Sequence, residues 1–162
     1  MRPSSLRARI RELARRITRR YRGRAPVMIG ILRASFVFMA DLAREVRLPI
    51  ECEFVGASSY GNRTVSTGRV TLTIRPSSPI AGKDVIVVDT VVDTGRTLRA
   101  VLAALRALKP RSLAVCALLK KPGPAHVDFL GFRIPRRFVV GYGLDIAGRY
   151  RNLKHVATWE DR

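Results

Sequence analysis

Acidic side chains are scarce in this chain. Its 162 residues include 12 aspartates and glutamates against 31 lysines and arginines, a formal net charge of +19. Such an excess suits anionic partners and far exceeds what one small ligand requires, so nucleic-acid contact enters as an alternative. Aromatic residues are also few, at 7%, and no basic stretch is studded with them in the manner of an RNA-recognition surface. The two cysteines, Cys52 and Cys116, lie in strand-like apolar surroundings without C-x-x-C spacing. They are expected to be reduced, buried thiols. No apolar run approaches the roughly 20 residues of a membrane-spanning helix. Internal repeats, a G-x-x-x-x-G-K-[ST] phosphate loop and a complete G-x-G-x-x-G fingerprint are all absent. What remains is a chain of one-domain length, 47% hydrophobic with a mean hydropathy of +0.03. That is enough to bury a sizeable core.

The chain is organised around Asp84–Leu98. Val85 to Val88 form a β-branched apolar run that reads as a strand buried on both faces. Asp89 follows, then Asp93-Thr94-Gly95-Arg96-Thr97, then a stretch from Leu98 to Leu108 with apolar residues at helical spacing. The order is strand, acidic edge, glycine-containing loop, helix. A loop feeding a helix N-terminus presents unpaired N–H groups and the positive end of the helix dipole. Thr94 and Thr97 add hydroxyls, Arg96 adds charge, and Gly95 lets the backbone approach a phosphate closely. Asp89 and Asp93 stand at the carboxyl end of the strand, where open α/β sheets place their ligands. They can serve ribose hydroxyls, a magnesium ion or a proton transfer.

The flanking segments alternate helix and strand. Residues Met1–Arg24 hold ten arginines and one acid, Glu12, with Leu6, Ile10, Leu13, Ala14, Ile17 and Tyr21 along one helical face. Ser4 or Ser5 is the candidate N-cap. The Arg-rich, acid-poor start also has the pattern of a mitochondrial targeting segment, but a strand follows within a few residues, so it is read as the first helix of the domain. Pro26–Leu32 predicts a short strand, Arg33-Ala34-Ser35 a tight turn, and Phe36–Val46 a helix, which makes a second candidate anion site. Pro49–Tyr60 alternates as a half-exposed strand should. The polar segment from Ser58 to Gly68, before a strand at Arg69–Ile74, is either an exposed hairpin or a mobile lid. Ser112–Leu119 is another buried strand, ended by Lys120-Lys121-Pro122-Gly123-Pro124, whose lysines are surface charges or donors to a ligand carbonyl. Taken alone, Phe138 reads as a core aromatic at a strand start and Asp145 as a turn former.

Val85–Leu98 resembles the phosphoribosyl-pyrophosphate motif of the type I phosphoribosyltransferases: a hydrophobic strand, two acids, two apolar residues, then Asp-Thr-Gly-Lys/Arg-Thr. Three other stretches match in order. Leu32-Arg33-Ala34-Ser35 resembles the pyrophosphate turn of the purine branch, and Ser59-Tyr60 the loop that closes over the active site. Val127–Leu153 closely resembles the purine-binding segment of the hypoxanthine-guanine branch, with Gly131-Phe132-Arg133-Ile134-Pro135, Phe138-Val139-Val140-Gly141-Tyr142 and an Asp145-to-Arg151 spacing. The resemblance implies a mostly parallel α/β sheet flanked by helices with a small hood from terminal segments, forming a single domain over residues 1–162. It implies magnesium-dependent transfer of phosphoribosyl from phosphoribosyl pyrophosphate to a 6-oxopurine, hypoxanthine or guanine, in purine salvage. By the same resemblance Asp93 takes the proton of purine N7. Phosphoribosyl pyrophosphate falls to Arg33, Ala34, Asp89, Thr90, Thr94, Gly95, Arg96, Thr97 and Arg151. Ser59 and Tyr60 belong to the lid, Lys121, Arg137, Phe138 and Val139 to the purine, and Asp89 and Asp145 to Mg²⁺. A cytoplasmic homodimer or homotetramer is expected.

Two positions depart from the family pattern. Thr90 stands where a second acid is usual; a threonine can hydrogen-bond a hydroxyl but supplies no charge to a metal. Ala34 stands where the turn usually carries glycine, so unusual backbone geometry there would carry a steric cost. With the high charge, these departures keep a second reading open, a non-catalytic relative that senses phosphoribosyl pyrophosphate or a nucleotide while binding nucleic acid.

Overall fold

The computed structural model describes residues 1–59 and 70–160. The run at Val85–Val88 is the middle of β4 (Asp84–Val92), and every side chain in it is fully buried. A strand apolar on both faces needs cover on both, and successive side chains point to opposite faces. Val85 and Val87 pack with Leu98, Val101 and Leu105 of α3 (Arg96–Arg106). Ile86 and Val88 point the other way, into a cluster with Leu6, Leu13 and Ile17 of α1 (Pro3–Arg20) and Phe38, Met39 and Leu42 of α2 (Phe36–Glu45). Each such side chain contributes roughly 1.5–3 kcal/mol of burial.

Around β4 the other strands complete a six-stranded sheet: β1 (Val27–Leu32), β2 (Glu51–Ser59), β3 (Val70–Ile74), β5 (Ser112–Lys120) and β6 (Phe129–Arg133), in the order β3-β2-β1-β4-β5-β6. Its neighbours pair in parallel except for β2 and β3, which are antiparallel. A separate ribbon of β7 (Val139–Val140) and β8 (Ala157–Thr158), built from the C-terminal segment, forms the hood. The expected α/β architecture is therefore the observed one.

Four local expectations are corrected or bounded. Helix α1 begins at Pro3, after Arg2, with no side-chain cap, so Ser4 and Ser5 are first-turn residues. Proline at the first helical position has its φ preset and lacks an N–H that would need a partner. Strand β4 continues to Val92, which puts Asp89 inside the strand and not beyond its end. Cys116 is buried as expected, but Cys52 is exposed, because β2 is half-covered there. Of the expected lid, Ser59 ends β2 opposite Val70, while Tyr60 lies outside the described residues.

The end of the sheet away from the C-terminal strand edges is fastened by Asp84, 1% exposed, whose carboxylate accepts from Arg111 Nε at 3.1 Å and from the Ser112 hydroxyl at 2.6 Å. A second Arg111 nitrogen completes a bidentate pair, and Arg24 approaches at 3.5 Å. The Arg111 guanidinium outweighs the effect of burial and, with Ser112, holds the carboxyl at about 2. A folded value below the ordinary 3.8 means stability that is present above that pH and lost as pH falls through about 2. Asp84→Asn is expected to cost about 2 kcal/mol at pH 7. Urea unfolding at several pH values should show the gap narrowing between pH 4 and pH 2; a pH-independent gap would reject the linkage.

Candidate active site

Two strand-turn-helix units deliver the site to the carboxyl edge of the sheet. In the first, β4 ends at Val92 and Asp93-Thr94-Gly95 leads into α3. Gly95 adopts φ 73° at the helix N-cap, a left-handed conformation that favours glycine, and a β-carbon there would stand 2.8 Å from the Ala125 β-carbon. The Thr94 hydroxyl accepts from the Arg96 N–H at 3.4 Å, and the Arg99 guanidinium donates to the Thr94 carbonyl at 3.3 Å. Asp89, Asp93 and the residues Thr94–Thr97 line a cradle of about 100 Å³ facing the helix N-terminus. Its first-turn N–H groups and dipole suit an anion.

In the second unit, β1 turns through Arg33 and Ala34 into α2, and the Leu32–Arg33 peptide is cis. Ala34 is absent from the residues with positive φ among those described, so the alanine is accommodated without left-handed strain. The two units are tied together where the sequence suggested a ligand contact. Thr90 is fully buried, and its hydroxyl donates to the Ala34 carbonyl at 2.9 Å. Thr90, expected on phosphoribosyl pyrophosphate, therefore has its hydroxyl proton engaged by the turn in this structure, on the α2 face of β4.

The hood closes on the same turn. Gly143 has φ 93°, and a β-carbon on it would stand 2.2 Å from the Ala34 carbonyl oxygen. The Arg151 guanidinium donates to the Gly143 carbonyl at 2.6 Å and lies 2.6 Å from an Asp145 oxygen, while Asp145 also accepts from the Gly148 N–H at 2.9 Å. Asp145 and Arg151, expected on a metal and on pyrophosphate, are thus partners of each other here. Sequence reading missed Gly143; the signal for it was the Gly141-Tyr142-Gly143 alternation, whose glycines suit the positive φ of a tight turn and a close backbone approach. The Tyr142 hydroxyl donates to Asp41, anchoring the hood to α2.

Beside the cradle opens a cleft of about 370 Å³ that shares Asp93 and Thr94 with it and is otherwise lined by Lys121, Arg136, Arg137 and Phe138 among others. Lys121 Nζ lies 2.7 Å from Asp93 Oδ2, and its backbone N–H donates to the Val92 carbonyl at 2.9 Å. The lysine is mostly buried and the aspartate half exposed. That pair was not foreseen, since the two residues are 28 positions apart. Phe138 is 50% exposed at the cleft wall, and Val139 follows it in β7, held opposite Thr158. Arg33 lies exposed at the turn. Of the expected purine and phosphate residues, the structure gathers Asp93, Thr94, Lys121, Arg137 and Phe138 in one cleft and Asp89, Gly95, Arg96 and Thr97 in the adjoining cradle.

Asp89 and Asp145 offer carboxylate oxygens, the donors a hard divalent cation takes, and magnesium characteristically uses one or two of them with water and substrate oxygens. Among the described residues no three His, Cys, Asp or Glu gather as a metal cage. Asp89 borders the cradle, while Asp145 is engaged by Arg151 and the Gly148 N–H.

This arrangement defines a phosphate-binding α/β protein with a second cleft roofed by a hood. The phosphoribosyl transferase domain family matches residues 4–147, and the chain belongs to it. Within that family it is similar to the hypoxanthine phosphoribosyltransferase of Salmonella typhimurium, 48% identical over 159 residues, covering 94% of this chain and 89% of that one. It is 44% identical to the hypoxanthine-guanine phosphoribosyltransferase of Mycobacterium avium over 167 residues, covering 97% and 82%. A crystal structure of a hypoxanthine-guanine phosphoribosyltransferase from Bacillus anthracis superposes with a TM-score of 0.93 at 40% identity, covering 99% and 96%.

Burial pushes the Asp89 carboxyl up to about 7, with the Val91 and Thr90 N–H groups pulling the other way. Because the folded value lies above the ordinary 3.8, folding favours the protonated form. Its stabilisation is complete below about pH 4, is lost as pH rises through about 7, and stays lost above. Asp89→Asn is accordingly expected to leave stability unchanged at pH 4 and to raise it at pH 8 by at most about 4 kcal/mol. Denaturant unfolding at the two pH values tests this; equal effects at both would contradict it.

Proposed function

We propose that this protein is a purine-salvage phosphoribosyltransferase. It transfers the phosphoribosyl group of phosphoribosyl pyrophosphate to N9 of a 6-oxopurine, hypoxanthine or guanine, and releases pyrophosphate. The observation that carries the reading is the Lys121–Asp93 pair, 2.7 Å apart at the junction of cradle and cleft. An ammonium has three donors and no acceptor. One donor serves Asp93, so two remain for the exocyclic oxygen of a 6-oxopurine. A 6-amino group would face the same lysine donor to donor, and an unpaired buried polar group is penalised.

In the reaction the bond from C1′ to pyrophosphate breaks, the N9–C1′ bond forms, and the purine N7 proton passes to Asp93. Such positioned proton transfer is worth about 10²–10⁴-fold. Thr94, Gly95, Arg96 and Thr97 hold the 5′-phosphate against the α3 N-terminus, and Phe138 and Val139 hold the ring, so the ribose lies in attack position. Arg137 lines the purine side. Charge developing on the leaving pyrophosphate meets Arg33 and, once drawn from Asp145, Arg151. Mg²⁺, held by Asp89 and Asp145, supplies further positive charge to that leaving group when bound. The lid role that the resemblance gives Ser59 and Tyr60 belongs to the same reading. The same reading makes residues 1–162 one catalytic domain, acting in the cytoplasm as a homodimer or homotetramer.

The test is turnover of phosphoribosyl pyrophosphate and magnesium with hypoxanthine, guanine, xanthine and adenine in turn. Product with a 6-oxopurine and none with adenine is expected; no product with any of the four would sink the proposal. In the same assay Asp93→Asn should lower kcat about 10²–10⁴-fold with little change in KM for phosphoribosyl pyrophosphate. Thr90→Val should instead raise that KM, by roughly tenfold for one lost buried hydrogen bond under the pyrophosphate turn, with Thr90→Ser restoring it. A valine variant with wild-type KM would show that the Thr90–Ala34 bond does not position the turn.

A further inference from the structure

Helix α1 carries its arginines in two sets with different surroundings. Arg9, Arg16 and Arg20 lie along the flank over β6: Arg9 stands 5.0 Å over the Phe132 ring, and Arg16 and Arg20 stand 5.6 Å and 5.4 Å over Phe129. Arg20 also pairs with Asp128. The second set, Arg7, Arg11, Arg15 and Arg19, recurs every fourth residue and so forms a stripe along the outer face, with Arg22 continuing it in the following turn. Its members are about 6 Å apart along the axis. All five are exposed. Arg11 pairs with Glu45, whereas Arg7, Arg15, Arg19 and Arg22 have no hydrogen-bond or ion-pair partner among the described residues. The helix has one acid, Glu12, and Arg9 holds it at 2.7 Å.

The stripe has no use in the cleft. Met1 at one end of α1 bonds to Val156 of the hood, and Arg24 beyond the other end reaches Asp84 at the start of β4. Arg15, Arg19 and Arg22 therefore lie toward the end of the sheet opposite Asp93, with the nine residues of β4, about 30 Å, between those ends. Like charges at i, i+4 destabilise a helix, so the isolated molecule bears a cost that a polyanion would relieve.

The surroundings select among polyanions. The apolar face of α1 is buried in the core, at Leu6, Ile10, Leu13 and Ile17, and leaves nothing to insert into a lipid surface. The stripe carries no aromatic on which an unpaired base could stack. What it offers is a row of guanidiniums suited to phosphates. We propose that the outer face of α1 binds duplex nucleic acid through its phosphate backbone, without sequence preference.

The test is fluorescence anisotropy of the full chain with 20-base-pair DNA and RNA duplexes between 50 and 200 mM NaCl, beside the Arg15→Gln/Arg19→Gln/Arg22→Gln variant. With four free arginines engaged, wild-type affinity should fall roughly 100-fold over that range, and that of the triple variant roughly 4-fold. The corresponding triple lysine variant should retain the wild-type salt dependence, and phosphoribosyl transfer should be unchanged in both, which reports that the fold is intact. Absence of binding at 50 mM salt, or the same salt dependence in the glutamine variant, overturns the proposal. Tighter binding to phosphatidylserine vesicles than to either duplex overturns it in favour of a membrane surface.

Discussion

Covering both faces of β4 is the requirement on which the rest of the structure depends. Four consecutive fully buried residues, Val85 to Val88, cannot be shielded by a sheet with one solvated side. Helices α1 and α2 cover one side and α3 the other, and β1 and β5 pair with the two edges of the strand. The carboxyl edge then remains as the open part of the strand, and the loop chemistry of Asp93–Thr97 collects there. Burial and site are consequences of one arrangement, because a strand that must be enclosed laterally can expose its functional groups only at an end.

Three pieces meet at that edge, and small contacts set their spacing. The Thr90 hydroxyl reaches the Ala34 carbonyl from below, and Gly143 of the hood approaches the same carbonyl from the side without a side chain to hold it off. The Arg151–Asp145 pair braces the hood from within. The departure at Thr90 acquires a physical sense in this setting. The acceptor above it is a carbonyl, which needs a donor, and a threonine supplies one at every pH whereas an ionised carboxylate supplies none. The position therefore supplies a structural bond that does not vary with pH.

Charge is distributed with equal economy. The two buried acids of β4, one at its start and one inside it, sit in opposite electrostatic conditions. Asp84 is surrounded by Arg111, Ser112 and Arg24 and is held ionised; Asp89 meets desolvation with only backbone donors against it and titrates near neutrality. The first is a clamp, and the second carries the cost of a buried charge whenever it ionises. On α1 the arginines divide between side chains stacked on β6 aromatics and side chains, Arg7, Arg15 and Arg19, that face solvent without a partner among the described residues.

Sequence alone determined the class of the fold and singled out the residues that the structure gathers in the cradle and the cleft. Those features are local: β-branched runs declare buried strands, a four-residue apolar period declares α1, and a strand-acid-glycine-helix order declares an anion cradle within fifteen residues. Tertiary structure decided what each residue touches. The Thr90 hydroxyl donates to the Ala34 carbonyl, 56 positions earlier. Lys121 and Asp93 form a pair across two strands, Gly143 marks a contact with a segment more than a hundred residues earlier, and Cys52 faces solvent whereas Cys116 is buried. Such facts depend on register and on which strands become neighbours, and a strand's own sequence carries no record of the residue placed opposite it. The physical reason is that propensity and periodicity act over a few residues, whereas partner choice is settled by the packing of the whole chain.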